Sequence, residues 1–181
     1  MKTIKCSCGQ DILVDDDMLD YLSRFFWSCS EKAITRRIST TSGVIAINMA
    51  SEIVEVPVGL VPDHKDRDRH NMQRENIRPA TYSQNGANRR IASNNTSGYK
   101  GVHRTRKTWS FEVKKDDIRY QKHGYRSAES AARARDRKAI ELFGEFATTN
   151  FPRSDYGSSS SSSSPQSSGG SSSPQNQPSG A

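Results

Sequence analysis

The sequence is poor in apolar residues and has no long apolar run. Of its 181 residues, 32% are hydrophobic and 8% aromatic. No run approaches the roughly 18 apolar residues of a membrane-spanning helix, so no membrane partner is expected. The first ten residues, MKTIKCSCGQ, hold no apolar segment of the kind that marks a secretory signal. Cysteine is scarce: Cys6, Cys8 and Cys29 are the only three. They cannot all pair within one chain, which argues against a disulfide scaffold and for a reducing compartment. A C-x-C followed by one distant cysteine is poor zinc spacing, so buried, reduced thiols are expected. Residues 157–181 contain 13 serines and no charge, too polar to order themselves, and read as a disordered tail. What remains supports one modest core or two small ones, not a large enzyme body.

Negative charge is short in one half only. Residues 1–60 carry 6 basic and 8 acidic side chains, whereas residues 61–156 carry 21 and 12. A basic excess confined to the later segments predicts a polyanionic partner, nucleic acid before acidic lipid.

Periodicity and turn residues divide the chain. Residues 3–5 and 12–14 read as short strands around a Cys-Gly-Gln-Asp turn. Asp15 to Asp17 open a helix carrying Met18, Leu19, Leu22, Phe25 and Phe26 on one face, with Phe25, Phe26 and Trp27 expected in the core. Residues 33–38 and 44–49 form a hairpin over Thr-Thr-Ser-Gly. Residues 59–61 form a strand entering a charged turn at 63–72, residues 73–77 lead into a second strand, and 81–90 are helical. The run ASNNTS at 92–97 marks a boundary. Beyond it, residues 99–104, 109–114 and 118–122 are three strand candidates. Ser127 and Gly144 then bracket an alanine-rich helix whose face joins Ala128, Ala131, Ala132, Ala139, Leu142 and Phe143. Arg135 falls in the middle of that face and is expected to snorkel to its edge.

Residues 59–89, GLVPDHKDRDRHNMQRENIRPATYSQNGANR, carry the chemistry. A hard divalent cation prefers oxygen donors, which Asp63 and the amide of Asn85 offer. His64 has an ordinary pKa that lets it take a proton from water near neutral pH. Asn76 can fix the loop or the imidazole by hydrogen bonding. This run resembles the HNH endonucleases of the phage and intron homing branch. DH at 63–64, EN-I-R at 75–78 and T-x-x-x-N at 81–85 carry the likeness. The resemblance implies His64 as general base, Asp63 and Asn85 as metal ligands, Asn76 as the structural asparagine of the catalytic set, and Mg2+ (or Mn2+) as cofactor. The run departs from the pattern in places: Arg67 stands where the family usually has glycine, His70 where leucine is common, Met72 where a second asparagine is common, and Met49-Ala50-Ser51 where Met-His-Arg is frequent.

The segment 98–152 is similar to the APETALA2-type (ethylene-response-factor-like) DNA-binding domain, through YKGV at 99–102, ESAA at 129–132 and FGEFA with NFP over 143–152. That resemblance implies a three-stranded sheet lying in the major groove of DNA. Lys100, His103, Arg104, Arg106, Glu112 and Lys114 are its candidate DNA contacts. Arg119 and Lys122 are candidates in a third strand that is one residue short, leaving its register open.

The fold expected is α+β: a ββα-metal (HNH-like) unit with an N-terminal α/β lead-in over 1–91, its core motif at about 59–89. A three-stranded antiparallel sheet backed by one helix follows over 98–152. The function implied is a site-selective, divalent-metal-dependent DNA endonuclease of the homing type, from a phage or mobile element. Its partner is double-stranded DNA and it takes no small-molecule substrate. A monomer is expected in the cytoplasm, at the nucleoid or in an infected host, or in the nucleus of a eukaryotic host. The alternative is a sequence-specific DNA-binding protein, regulator-like, with a decayed HNH unit.

Overall fold

The computed structural model describes residues 2–31 and 33–157. The tail expected over 157–181 lies, from 158 onward, outside the described residues. The chain is a mixed α/β structure of small antiparallel sheets and mostly short helices. Among the described residues no helix is long and apolar enough to cross a membrane.

The N-terminal hairpin pairs β1 (Lys2–Lys5) with β2 (Asp11–Val14). A 3-10 turn, Asp16–Met18, leads into α1 (Leu19–Leu22). The helix expected to run on through Phe26 stops there because the Trp27 indole N–H donates to the Leu22 carbonyl at 2.8 Å. Trp27 is thereby buried and Phe25 half-buried, while Phe26 is 79% exposed and is no core residue. β3 (Ser28–Cys29), β4 (Ile34–Thr40) and β5 (Gly43–Asn48) form the second sheet, in that order. α2 (Met49–Ile53), capped by the Asn48 side chain, buries Met49, Ala50 and Ile53 beneath it.

β6 (Val61–His64) and β7 (Ile77–Ala80) pair antiparallel, with Asp63 opposite Arg78 and His64 opposite Ile77. Asp63 and His64 therefore lie on the strand itself rather than in the turn after it. α3 (Tyr82–Asn88) follows, opened by a capping box in which Thr81 and Gln84 exchange hydrogen bonds. An apolar cluster of Ile12, Val14, Leu22, Trp27, Ile34, Met49, Met72 and neighbours lies under these elements.

A second cluster lies between the last sheet and the last helix. β8 (Val102–Thr105), β9 (Thr108–Lys115) and β10 (Ile118–Tyr125) form an antiparallel meander with β9 central. Across the bulge between Lys122 and Tyr125, β10 advances three residues while β9 advances two, so the third strand carries an extra residue rather than lacking one, and its register is fixed with Lys122 opposite Phe111 and Tyr125 opposite Trp109. α4 (Ala128–Phe143) starts at a Ser127–Ser130 capping box and stops at Gly144, whose φ is +53°. Ala131, Ala132, Ala139 and Phe143 pack on Val102, Phe111 and Val113.

Arg135 does not snorkel. It is buried at 4% exposure beside Asp136 at 0%. Its guanidinium donates to the Thr148 carbonyl and lies 3.2 Å from the Asp136 carboxylate. Asp136 also accepts from the Asn150 backbone N–H at 2.6 Å, the Phe151 N–H at 3.1 Å and the Tyr156 hydroxyl at 2.8 Å. The buried charge thus stitches the C-terminal segment to the helix. Gly101, at φ +68°, makes room for it: a Cβ there would sit 2.6 Å from the Glu112 carbonyl and 3.2 Å from Arg135 Nε.

The two clusters meet at α3, whose Ala87 belongs to the second. Thr148 donates to the Asn88 carbonyl at 2.9 Å, and Arg78 stacks 3.7 Å over the Phe146 ring.

Candidate functional site

Strand pairing brings Asp63 and His64 to one end of the β6–β7 ribbon, where α3 crosses it. Asp63 is 3% exposed. Arg78, its cross-strand partner, donates through Nε to Oδ2 at 3.0 Å, and Asn88 donates through Nδ2 to Oδ1 at 2.9 Å. The same Asn88 amide bonds the His64 carbonyl at 2.7 Å. Asn88 therefore ties the helix to both strand residues. Nothing in the resemblance marked Asn88 as a partner of Asp63, and Arg78 entered only as the last residue of EN-I-R, with no role given to it. The i, i+3 spacing of Asn85 and Asn88, which puts both on one helix face, is the signal that could have found the first.

A cleft of about 230 Å³ opens beside this junction. Asp63, His64, Asn85 and Asn88 line it, and Arg67, Arg69, Arg89 and Arg90 ring it. The structure thus brings together three of the four residues singled out for chemistry. His64 Nε2 is buried and has no hydrogen-bond partner among the described residues. Burial holds the imidazole pKa below its ordinary value, against the opposing carboxylates of Asp66, Asp63 and Asp68. The ring is neutral near pH 7 and its orphaned nitrogen is able to accept a proton.

Asn76 lies elsewhere. It is 8% exposed and spans the loop between the strands. Its Oδ1 accepts the Asp66 backbone N–H at 3.1 Å, and its Nδ2 donates to Asp66 Oδ1 at 2.9 Å and to the Asn71 carbonyl at 2.8 Å. Asp66 in turn accepts from the Asp68 N–H at 2.8 Å and the Asn71 amide at 2.7 Å. Asn76 ties together the loop that follows His64 and does not line the cleft. Arg67, in the place of the usual glycine, adopts φ +66° all the same, a left-handed conformation that costs a side-chain-bearing residue about 1 kcal/mol or more.

The donor set suits a hard divalent cation. Asp63 offers a carboxylate whose oxygens each carry one neutral or cationic donor, leaving further lone pairs, and Asn85 offers an amide on the cleft wall.

On the β8–β10 sheet, register sorts the candidate DNA contacts. His103 pairs with Ser110, Arg119 with Lys114, and Gln121 with Glu112, so His103, Glu112, Lys114 and Arg119 share the face turned away from α4. Ion pairs knit it: Arg119 to Glu112 at 3.2 Å and Lys114 to Asp117 at 2.8 Å. Arg104 pairs with Trp109 and Lys122 with Phe111, which puts both on the helix-side register, exposed at its margins. Arg106 occupies the β8–β9 turn at φ +51°. Lys100 is not in the sheet. Its ammonium is held by the carbonyls of Ala87 and Arg89 at the end of α3. Burial, followed by the charges of Arg135, Arg67 and Arg89, pushes it down to about 7.

Among curated proteins, the chain is 33% identical over 97 residues to an uncharacterized HNH endonuclease of Acanthamoeba polyphaga mimivirus, a match covering 53% of this chain and 50% of the viral protein. The chain therefore spans about half the length of the curated relative it matches. No protein-family model matches, and no solved structure does.

Proposed function

We propose that the chain is a site-selective, divalent-metal-dependent DNA endonuclease of the HNH homing type. In this reading β6, β7 and α3 form a ββα-metal unit, and the sheet of residues 98–152 is an APETALA2-like reader of double-stranded DNA. The observation that carries it is that His64, whose buried Nε2 has no hydrogen-bond partner among the described residues, lines an arginine-ringed cleft together with Asp63 and Asn85. The viral relative named as an HNH endonuclease supports the coarse class.

The chain's own residues supply most of what phosphodiester hydrolysis needs. Arg67, Arg69, Arg89 and Arg90 place positive charge where a phosphate would lie. His64 Nε2 accepts a proton from water as the water oxygen bonds to phosphorus and the ester oxygen leaves with the bond's electron pair. Asn76 and Asp66 hold the loop that aims the ring. Asp63 and Asn85 would hold Mg2+ or Mn2+, which when bound supplies positive charge for the leaving oxygen. On the reader, basic groups meet phosphate or guanine edges, while Glu112 accepts from cytosine N4.

One observation favours the alternative of a non-cleaving DNA binder: both oxygens of Asp63 are already engaged, by Arg78 and Asn88. Nicking of supercoiled plasmid by the full-length protein separates the two. The nuclease reading expects conversion to open circles with Mg2+ or Mn2+, none with excess chelator, and an Asp63→Ala deficit partly relieved by more metal. Chelator-resistant cleavage would overturn the mechanism, and no cleavage with either metal would leave the binder.

A further inference from the structure

Three sulfurs that this chemistry does not use lie together outside the cleft. Cys6 and Cys8 flank the turn that leaves β1, and Cys29 ends β3. Their Sγ atoms all lie within 4.8 Å of one another, with Cys6 and Cys8 2.8 Å apart. The sequence spacing argued against this convergence because Cys29 is 21 residues beyond Cys8. The backbone causes it. Cys6 N–H donates to the Gln10 carbonyl at 3.0 Å and Gly9 N–H to the Cys6 carbonyl at 2.9 Å, closing the turn. Gly9 sits at φ +82°, a conformation that glycine takes without strain. Ser7 N–H then donates to the Trp27 carbonyl at 2.9 Å, which fastens the turn to the chain entering β3. No sulfur contact is needed to bring the third thiol in.

The thiols are unequal. Burial raises Cys6, but the Cys29 and Cys8 thiols and the backbone of Cys8 and Gln10 outweigh it and bring Cys6 down to about 7. Burial, then its two neighbours, push Cys29 up to about 12. The nearest lysine along the chain, Lys5, is paired with Asp11 at 2.8 Å.

We propose that Cys6, Cys8 and Cys29 form a three-thiolate site for zinc, its fourth position open to water on the exposed side at Cys8. Tetrahedral zinc with bonds of about 2.3 Å sets sulfurs about 3.8 Å apart. Cys6 and Cys8, 2.8 Å apart, must part by about 1 Å, a side-chain adjustment on a fixed backbone. Binding forms three Zn–S bonds and releases the remaining thiol protons to solvent. Thiolates select zinc, whereas the oxygen donors Asp63 and Asn85 select magnesium, so the two sites do not compete for one metal. The site braces a hairpin that supports the candidate nuclease loop, since Leu13 N–H donates to the His70 carbonyl and Met72 N–H to the Leu13 carbonyl, each at 2.8 Å. The proposal does not depend on the nuclease reading.

The test uses the full-length protein, purified anaerobically without chelator from zinc-supplemented cells, with metal content read by mass spectrometry. We expect one zinc per chain after gel filtration, and the same in His64→Ala and Asp63→Ala. Cys8→Ser, at an exposed position, and Cys29→Ser should each lower retained zinc to below about a tenth. Cobalt exchanged into the native protein should show the sulfur-to-metal charge-transfer band of a thiolate site. Wild-type protein without stoichiometric zinc, zinc lost with His64→Ala but kept by Cys8→Ser, cobalt lacking the sulfur band, or a Cys6–Cys8 disulfide in the anaerobic protein would each overturn it.

Discussion

The loop between β6 and β7 and the packed face of α4 fix their residues by opposite means. Across residues 65–76 only Met72 and Asn76 are buried. The loop is held by short polar side chains, Asp66, Asp68, Asn71 and Asn76, that accept or donate to nearby backbone. Each such bond contributes about 1 kcal/mol, so one change loosens the loop locally. The α4 face is alanine close-packed on a sheet, with one buried Arg135–Asp136 pair inside it. Removing a partner there strands a charge with no water to receive it. Substitutions in the two regions should therefore part: loss of activity with little unfolding in the first, loss of folding in the second.

The largest effect is expected from Asp136→Ala. It leaves Arg135 and the Asn150 and Phe151 N–H groups without their acceptor, and should cost about 3–5 kcal/mol in chemical denaturation. A loss below about 1 kcal/mol would erase the contrast. Asn76→Ala comes next. Its stability cost should be only about 1–2 kcal/mol, yet metal-dependent cleavage should fall about 10- to 100-fold as the loop after His64 loosens. Equal losses of stability and activity in unfolding and plasmid assays would mean that the loop is merely structural.

Smaller is the effect of pH at His64. Its folded pKa is lowered, chiefly by burial. The imidazole proposed as base therefore stays neutral as pH falls through about 6.5, and the cleavage rate should decline only below that. Stability has the matching sign. Below about 6.5 the unfolded chain binds a proton that the folded imidazole refuses, so stability drops as pH falls, and His64→Ala should flatten that slope. A rate profile breaking above 6.5 would contradict the burial of the ring. The smallest effect is a gain: Arg67→Gly relieves a positive φ and should add about 1 kcal/mol to stability, while weakening DNA binding by one charge. Thermal melts and binding across salt measure the two halves.

Much of the framework was legible because it is written in local patterns. Alternation in β9, the caps of α4 at Ser127 and Gly144, and the Thr81 start of α3 all fall where turn and capping chemistry puts them. Asp63, His64 and Asn85 could be picked out, but their surroundings could not. Arg78 reaches Asp63 through strand register, and Asn88, although its spacing puts it on the helix face of Asn85, meets Asp63 only through the way α3 crosses the strands. The resemblance placed Lys100 among the DNA contacts, and no motif reveals that its ammonium is satisfied by the carbonyls closing α3. Periodicity placed Arg135 in the core face correctly, but its partner Asp136 is adjacent in sequence and so sits about 100° round the helix, and only the returning segment at 148–156 makes that position interior. Cys29 joined the other cysteines through a backbone bond between Ser7 and Trp27 that no motif records.

The central claim is that His64 performs the chemistry and contributes little to holding DNA. The direct measurement takes His64→Ala and the unaltered protein through the same two assays, affinity for a duplex target and cleavage of it with Mg2+. Affinity should agree within about twofold, while cleavage should fall by a factor on the order of 10² to 10⁴, the range general-base catalysis contributes. Undiminished cleavage by His64→Ala would contradict the account.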